Sequence, residues 1–146
     1  MSELGHVVFY VRELARSVDF YTNVVGLSLR GRIFNGRGAV LSGGRTHHEL
    51  LLIEVGSAEG PPQGRRIGLY HVGWKIGESI EALRALHAQL MESGYPIEGV
   101  ADHTVSQSLY LRDPDGNEIE LFVDDPQFDW REDQTWLEAP VKPLKL

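Results

Sequence analysis

The sequence predicts an α+β fold made of two βαβββ repeats, with eight strands forming an open, barrel-like mixed sheet around a cavity. Three observations carry this expectation. His6 and His71, each near the start of a predicted strand, lie 65 residues apart, and the helix-closing Gly26 and Gly94 lie 68 apart. Each pair of landmarks frames one strand, one helix and three further strands. Between the copies, residues 57–66 are rich in Gly and Pro and carry no periodicity, as a linker does. The expected organisation is one domain over 1–146, with repeat one at about 4–56, the linker at 57–66, repeat two at about 67–124 and a tail at 125–146.

Residues 5–11 read as the first strand. A helix follows from 12, with Leu14, Val18, Tyr21 and Val25 on one face. Gly26 stops it. Strands are expected at 27–34, 38–41 and 48–55, separated by Asn35-Gly36 and Ser42-Gly43-Gly44. The second copy predicts a strand at 68–76, then a helix at 79–91 with Ile80, Leu83, Leu86 and Leu90 on its apolar face. Three more strands are expected at 95–100, 106–112 and 118–123. The last two are joined by Asp113-Pro114-Asp115-Gly116-Asn117, where Pro fixes φ, Gly accepts a positive φ, and Asp and Asn bond their own backbone. Alternation along the return strand sets Glu118 and Glu120 on one face and Ile119, Leu121 and Val123 on the other. After it, Trp130 and Trp136 stand among charges and three prolines, which predicts irregular structure over the surface.

At 146 residues and 42% hydrophobic, the chain can bury an ordinary single core. It has no run of about 18 apolar residues and no charged-then-apolar leader, so a soluble, cytoplasmic protein without membrane contact is expected. With no cysteine there is no disulfide, thiol nucleophile or thiolate site, and any metal must use His and carboxylate. A net charge of −7 argues against nucleic acid as a partner. No nucleophile elbow and no phosphate-cradling glycine loop are present.

His6 and His71 hold equivalent places in the two copies, and Glu120 lies on the closing strand. Two imidazoles and a carboxylate from three strands can form a facial triad that leaves open positions on a non-haem iron, making the cavity a metal-binding one. The fourth strand of copy one opens with His47-His48-Glu49. Alternation sends either His48 or Glu49 inward, not both. An inward Glu49 supplies a fourth ligand for a Lewis-acid metal, and an inward His48 supplies an unligated imidazole that moves protons. Hydropathy does not decide between them.

With these residues in view, the chain resembles the vicinal-oxygen-chelate superfamily, and within it the type I extradiol, catechol-type dioxygenases. The resemblance covers about residues 4–125 and rests on His6, Tyr70-His71-Val72, Asn117-Glu118-Ile119-Glu120-Leu121, the His47-His48 pair before a leucine-rich strand, and the segment from His103 through Ser106 and Ser108 to Tyr110. It implies Fe(II), with Mn(II) as the alternative, on His6, His71 and Glu120. It implies His48, His103 and Tyr110 as catalytic residues, and a small aromatic diol and O2 as substrates. A homodimer or higher homo-oligomer is expected, because a single module leaves an open sheet edge. Two alternatives share the fold: a glyoxalase I-like isomerase using His6, Glu49, His71 and Glu120 around Ni(II), Zn(II) or Mn(II), and a metal-free, drug-sequestering binding protein.

Overall fold

In the computed structural model, which describes residues 1–146, the chain is an α+β protein of two similar halves. The first comprises Met1–Gln63 together with Asp113–Gly116, and the second Gly64–Arg112 with Asn117–Leu146. The eight strands are hydrogen-bonded as two separate four-stranded sheets and do not close into a barrel. In each copy the first strand pairs with the fourth.

In the first half, β1 (Val7–Val11), α1 (Leu14–Asn23), β2 (Ser28–Ile33), β3 (Gly38–Ser42) and β4 (Leu50–Glu54) give the sheet order β1-β4-β3-β2. β1 runs parallel to β4, with Val7 opposite Leu50, and the remaining pairs are antiparallel. Phe9 and Val11 of β1, Ala39 and Leu41 of β3, and Leu50 and Leu52 of β4 are buried, as are Leu14, Phe20 and Tyr21 of α1. The helix therefore covers one face of this sheet, as its apolar spacing requires.

The turn 113–116 belongs to this half. The Tyr21 hydroxyl, wholly buried, donates to Asp113 Oδ2 at 2.7 Å, and Asp113 Oδ1 accepts the Asp115 N–H at 2.9 Å. Asp115 in turn accepts the Arg12 N–H and the Ser17 hydroxyl. The aspartates thus bond their own turn, as expected, and also bind α1. The sequence pattern displays Tyr21 only as a residue on one face of the helix.

The second half repeats the plan. β5 (His71–Gly77), α2 (Ile80–Ser93), β6 (Ile97–Asp102), β7 (Ser106–Arg112) and β8 (Glu118–Asp124) give the order β5-β8-β7-β6, with β5 parallel to β8. Leu83, Leu86 and Leu90 of α2 are buried, as are Leu109 and Leu111 of β7 and Ile119, Leu121 and Val123 of β8. Gly26 and Gly94, the predicted helix stops, both take positive φ of 90° and 70°. The tail forms a short 3-10 turn at Thr135–Leu137 and pairs Lys142 with Asp102 at the edge of β6, through two backbone hydrogen bonds of 2.9 and 3.0 Å.

β6, expected at 95–100, is Ile97–Asp102, and three strands that carry candidate residues begin later than expected. β1 begins at Val7, so His6 stands just before it. β4 begins at Leu50, which leaves His48 and Glu49 at its mouth. β5 begins at His71, three residues later than predicted. Gly68, three residues before it, takes a positive φ of 125°, outside the extended region.

Tyr21→Phe removes a buried donor to a carboxylate that is 4% exposed. It is expected to lower unfolding stability by about 1.5–3 kcal/mol, the usual worth of a hydrogen bond to a charged group. A shift in urea midpoint with unchanged slope is the expected readout.

Candidate functional site

The parallel pairing of β5 with β8 sets His71 opposite Glu118 and Gly73 opposite Glu120. With Ile119 and Leu121 buried on the other face, both glutamates turn to the face that His71 borders. His71 Nε2 lies 3.1 Å from Glu120 Oε2, and Nδ1 lies 3.5 Å from Glu118 Oε1. Gly73 makes room for this: a Cβ there would stand 3.3 Å from Glu120 Oε2 and 3.4 Å from the Phe122 ring.

β7 supplies the partners of Glu120. Ser108 and Tyr110 share a face by strand alternation, and Tyr110 pairs with Glu120 in the ladder. Glu120 Oε1 accepts the Ser108 hydroxyl at 2.6 Å and the Tyr110 hydroxyl at 3.1 Å. The Tyr110 oxygen lies 2.7 Å from His103 Nε2. Because the phenol donates to Glu120, its oxygen is left to accept from His103, which places the proton on Nε2. Burial, then the charge of Glu120 and the hydrogen bond to it, push the Tyr110 phenol up to about 12. Tyr110 is therefore a donor at neutral pH.

In the first half, the parallel β1–β4 pair brings His6 and His48 to the same end of adjacent strands, tied by the Val7 N–H to Glu49 carbonyl bond of 2.9 Å. Their ring centroids are 4.6 Å apart at 33°, and His47 lies against the other side of His48 through a contact between their Nδ1 atoms. Burial, followed by the neighbouring His47 and His6, holds the His48 imidazole below its usual range, so the neutral form predominates at neutral pH.

Glu49 turns elsewhere. Its carboxylate accepts the N–H groups of Gly43 (2.8 Å), Arg45 (3.0 Å) and Thr46 (3.0 Å) and so closes the loop between β3 and β4. Burial alone would raise its pKa, but these donors, together with Ser42, hold it below the ordinary glutamate range. Backbone donors in a loop, which no residue pattern displays, thus take up the Glu49 carboxylate.

Of the predicted residues, the structure joins His71, Glu120, Tyr110 and His103 in the second half and His6 with His48 in the first. Neither half by itself gathers three His, Asp or Glu side chains able to hold a metal. His71 and Glu120 nonetheless fit one. Glu120 has one oxygen satisfied by two hydroxyls and the other facing His71 Nε2, so an imidazole nitrogen and a carboxylate oxygen, the donor types a borderline divalent ion takes, lie together. His71 Nδ1 is buried without a hydrogen bond, beside Glu118, as a ligand imidazole awaiting a second-nitrogen partner would be. Sequence reading missed Ser108 and Gly73 as supports of Glu120. The signal available was their spacing, two residues from Tyr110 and directly after Tyr70-His71-Val72.

The chain belongs to the Glyoxalase/Bleomycin resistance protein/Dioxygenase superfamily, whose sequence profile matches residues 3–121. It is 38% identical over 133 residues to catechol-2,3-dioxygenase of Bacillus subtilis (strain 168), covering 91% of this chain and 45% of that protein. It is 26% identical over 126 residues to biphenyl-2,3-diol 1,2-dioxygenase 2 of Rhodococcus globerulus, covering 84% and 63%. The chain thus spans about half to two thirds of the length of these curated relatives. Among solved structures, a glyoxylase/bleomycin resistance protein/dioxygenase domain from Frankia sp. EAN1pec matches with a TM-score of 0.68 at 24% identity, covering 86% of this chain and 99% of that one. That likeness establishes the fold. No helix is long and apolar enough to cross a membrane.

Two measurements check this geometry. Glu49 has a depressed folded pKa, so its contribution to stability is present above the unfolded glutamate pKa and is lost as pH falls through the folded one. Glu49→Gln should therefore destabilise the protein near pH 7, and its deficit in urea midpoint should shrink below roughly pH 4, where the wild-type carboxylate also protonates. Removing the charge at Glu120 should make Tyr110 easier to ionise. In Glu120→Gln its pKa falls from about 12 but stays above 10, because burial remains the leading cause. Absorbance titration at 295 nm, with Tyr110→Phe to identify its step, reads this out.

Proposed function

We propose that the chain is the catalytic module of a non-haem Fe(II) extradiol dioxygenase that cleaves the ring of a catechol-type aromatic diol. His6, His71 and Glu120 would hold the metal, with Mn(II) as an alternative to Fe(II). The observation that carries this reading is the division of labour between Glu49 and His48. Glu49 spends its carboxylate on three backbone N–H groups, which removes the fourth ligand that an isomerase of the glyoxalase type would need. His48, beside His6 and with its imidazole held below the usual range, would serve as the acid-base group. The similarity to relatives named for catechol and biphenyl-2,3-diol dioxygenation supports the same choice.

Iron, where bound, would supply Lewis acidity toward the diol and a redox partner for O2. The chain's own residues do the rest. With Nδ1 of His48 occupied by His47, Nε2 is the atom that takes the proton from the diol hydroxyl and returns it after ring opening. Tyr110, kept as a phenol, fixes one Glu120 oxygen together with Ser108, so the other oxygen keeps its direction. His103, joined to Tyr110, would hydrogen-bond the substrate, and Tyr110 would help to orient it.

Iron content after anaerobic loading, and oxygen uptake with catechol, test the assignment. His48→Ala should retain iron and lose about 10²–10⁴-fold in ring cleavage, the usual share of a positioned proton carrier. Glu120→Ala should lose stoichiometric iron. It should also lose the metal-dependent rise in stability, about 2.7 kcal/mol at a hundredfold excess over Kd. Glu49→Ala should lose stability but keep its iron. A Glu49 variant without metal beside a fully active His48 variant would overturn the dioxygenase reading.

A further inference from the structure

A cleft of about 640 Å³ opens in the second half, walled by Arg65, Arg66, Tyr70, Arg112 and Glu118. Its size is that of a small-molecule site. The charges within it are unequally committed. Arg112 is already balanced, with Nε donating to Glu98 at 2.9 Å and Nη2 lying 3.3 Å from Glu118 Oε2. Arg65 and Arg66 form no ion pair, and Arg66 is held at the rim by donating to the carbonyls of Gly64 (3.1 Å) and Leu69 (2.9 Å). Two uncompensated guanidiniums in a concave site of a chain with net charge −7 make a local well for anions.

We propose that this cleft binds a small aromatic carboxylate. A planar guanidinium fork matches a carboxylate through paired, charge-assisted hydrogen bonds. Tyr70, 66% exposed, offers its ring face to a flat ligand beside them. The cleft also adjoins the site described above. The Tyr70 ring lies 4.6 Å from that of His71, and Glu118 has one oxygen toward His71 Nδ1 and the other toward Arg112. The carboxylate belongs either to the diol as a ring substituent, a source that rests on the dioxygenase reading, or to a separate ligand bound behind His71.

Benzoate, with benzamide as the uncharged isostere, tests the site by calorimetric titration of the full chain. Wild type should bind benzoate saturably and in preference to benzamide, and less well as salt is raised. Arg65→Ala, which disturbs no loop hydrogen bond, should weaken benzoate binding about tenfold, the scale of one hydrogen bond to a charged group. Arg65→Ala/Arg66→Ala should abolish the preference over benzamide while the circular dichroism spectrum is unchanged. Equal benzoate affinity in wild type and both variants, or no saturable binding to wild type, overturns the proposal. Iron-loaded protein separates the two sources. If the carboxylate is a substituent, benzoate competes with the diol, and a carboxylated catechol gains kcat/KM in wild type but not in the double variant. If it is a separate ligand, benzoate binds without competing. Should no diol consume oxygen at all, the dioxygenase reading falls, and the benzoate titration still judges the cleft.

Discussion

The constraint on which the rest depends is the parallel pairing of the first and last strand within each half. A parallel pair brings the same ends of two strands together, so residues at the start of β5 meet residues at the start of β8, and the mouth of β1 meets the mouth of β4. That is why His71 finds Glu118 and Glu120, and why His6 stacks on His48. In each half the remaining pairs are antiparallel, and their short connections only have to keep register. The polar residues thus collect at strand openings, while Leu50, Leu52, Ile119 and Leu121 fill the opposite face.

Each carboxylate at these openings meets different partners. Glu49 is held by three backbone N–H groups, which stabilise its charge and close a loop. Glu120 is held at one oxygen by two hydroxyls, which orient it and leave the second oxygen toward an imidazole. Glu118 lies between His71 and Arg112 and so belongs to both the His71 cluster and the arginine-lined cleft. Tyr110 connects this arrangement to His103, and its raised pKa keeps a proton in the chain of contacts at neutral pH.

The turn 113–116 has a comparable double role. In the sequence it is a run of turn formers. In the structure its two aspartates receive the Tyr21 hydroxyl, the Arg12 N–H and the Ser17 hydroxyl, so it also anchors the start and middle of α1. A carboxylate 4% exposed is tolerated because its lone pairs are taken.

By itself the sequence determined the α+β class, the two βαβββ copies, the order of elements and the faces of β8. All of these follow from local propensity and from periods of 2 and 3.6 residues that any window of the chain displays. It also displayed His6, His48, His71, His103, Tyr110 and Glu120 as the residues to watch, through their placement at strand ends and in a recognisable pattern. Only the tertiary structure decided that the strands bond as two sheets and that β5 waits until His71. It alone assigned Glu49 to a loop and left His48 beside His6, and it alone gathered arginines 65, 66 and 112 around one cleft. These outcomes depend on hydrogen-bond partners many residues away and on which backbone donors a loop happens to point inward. No local pattern carries that information, because it exists only once the strands are paired.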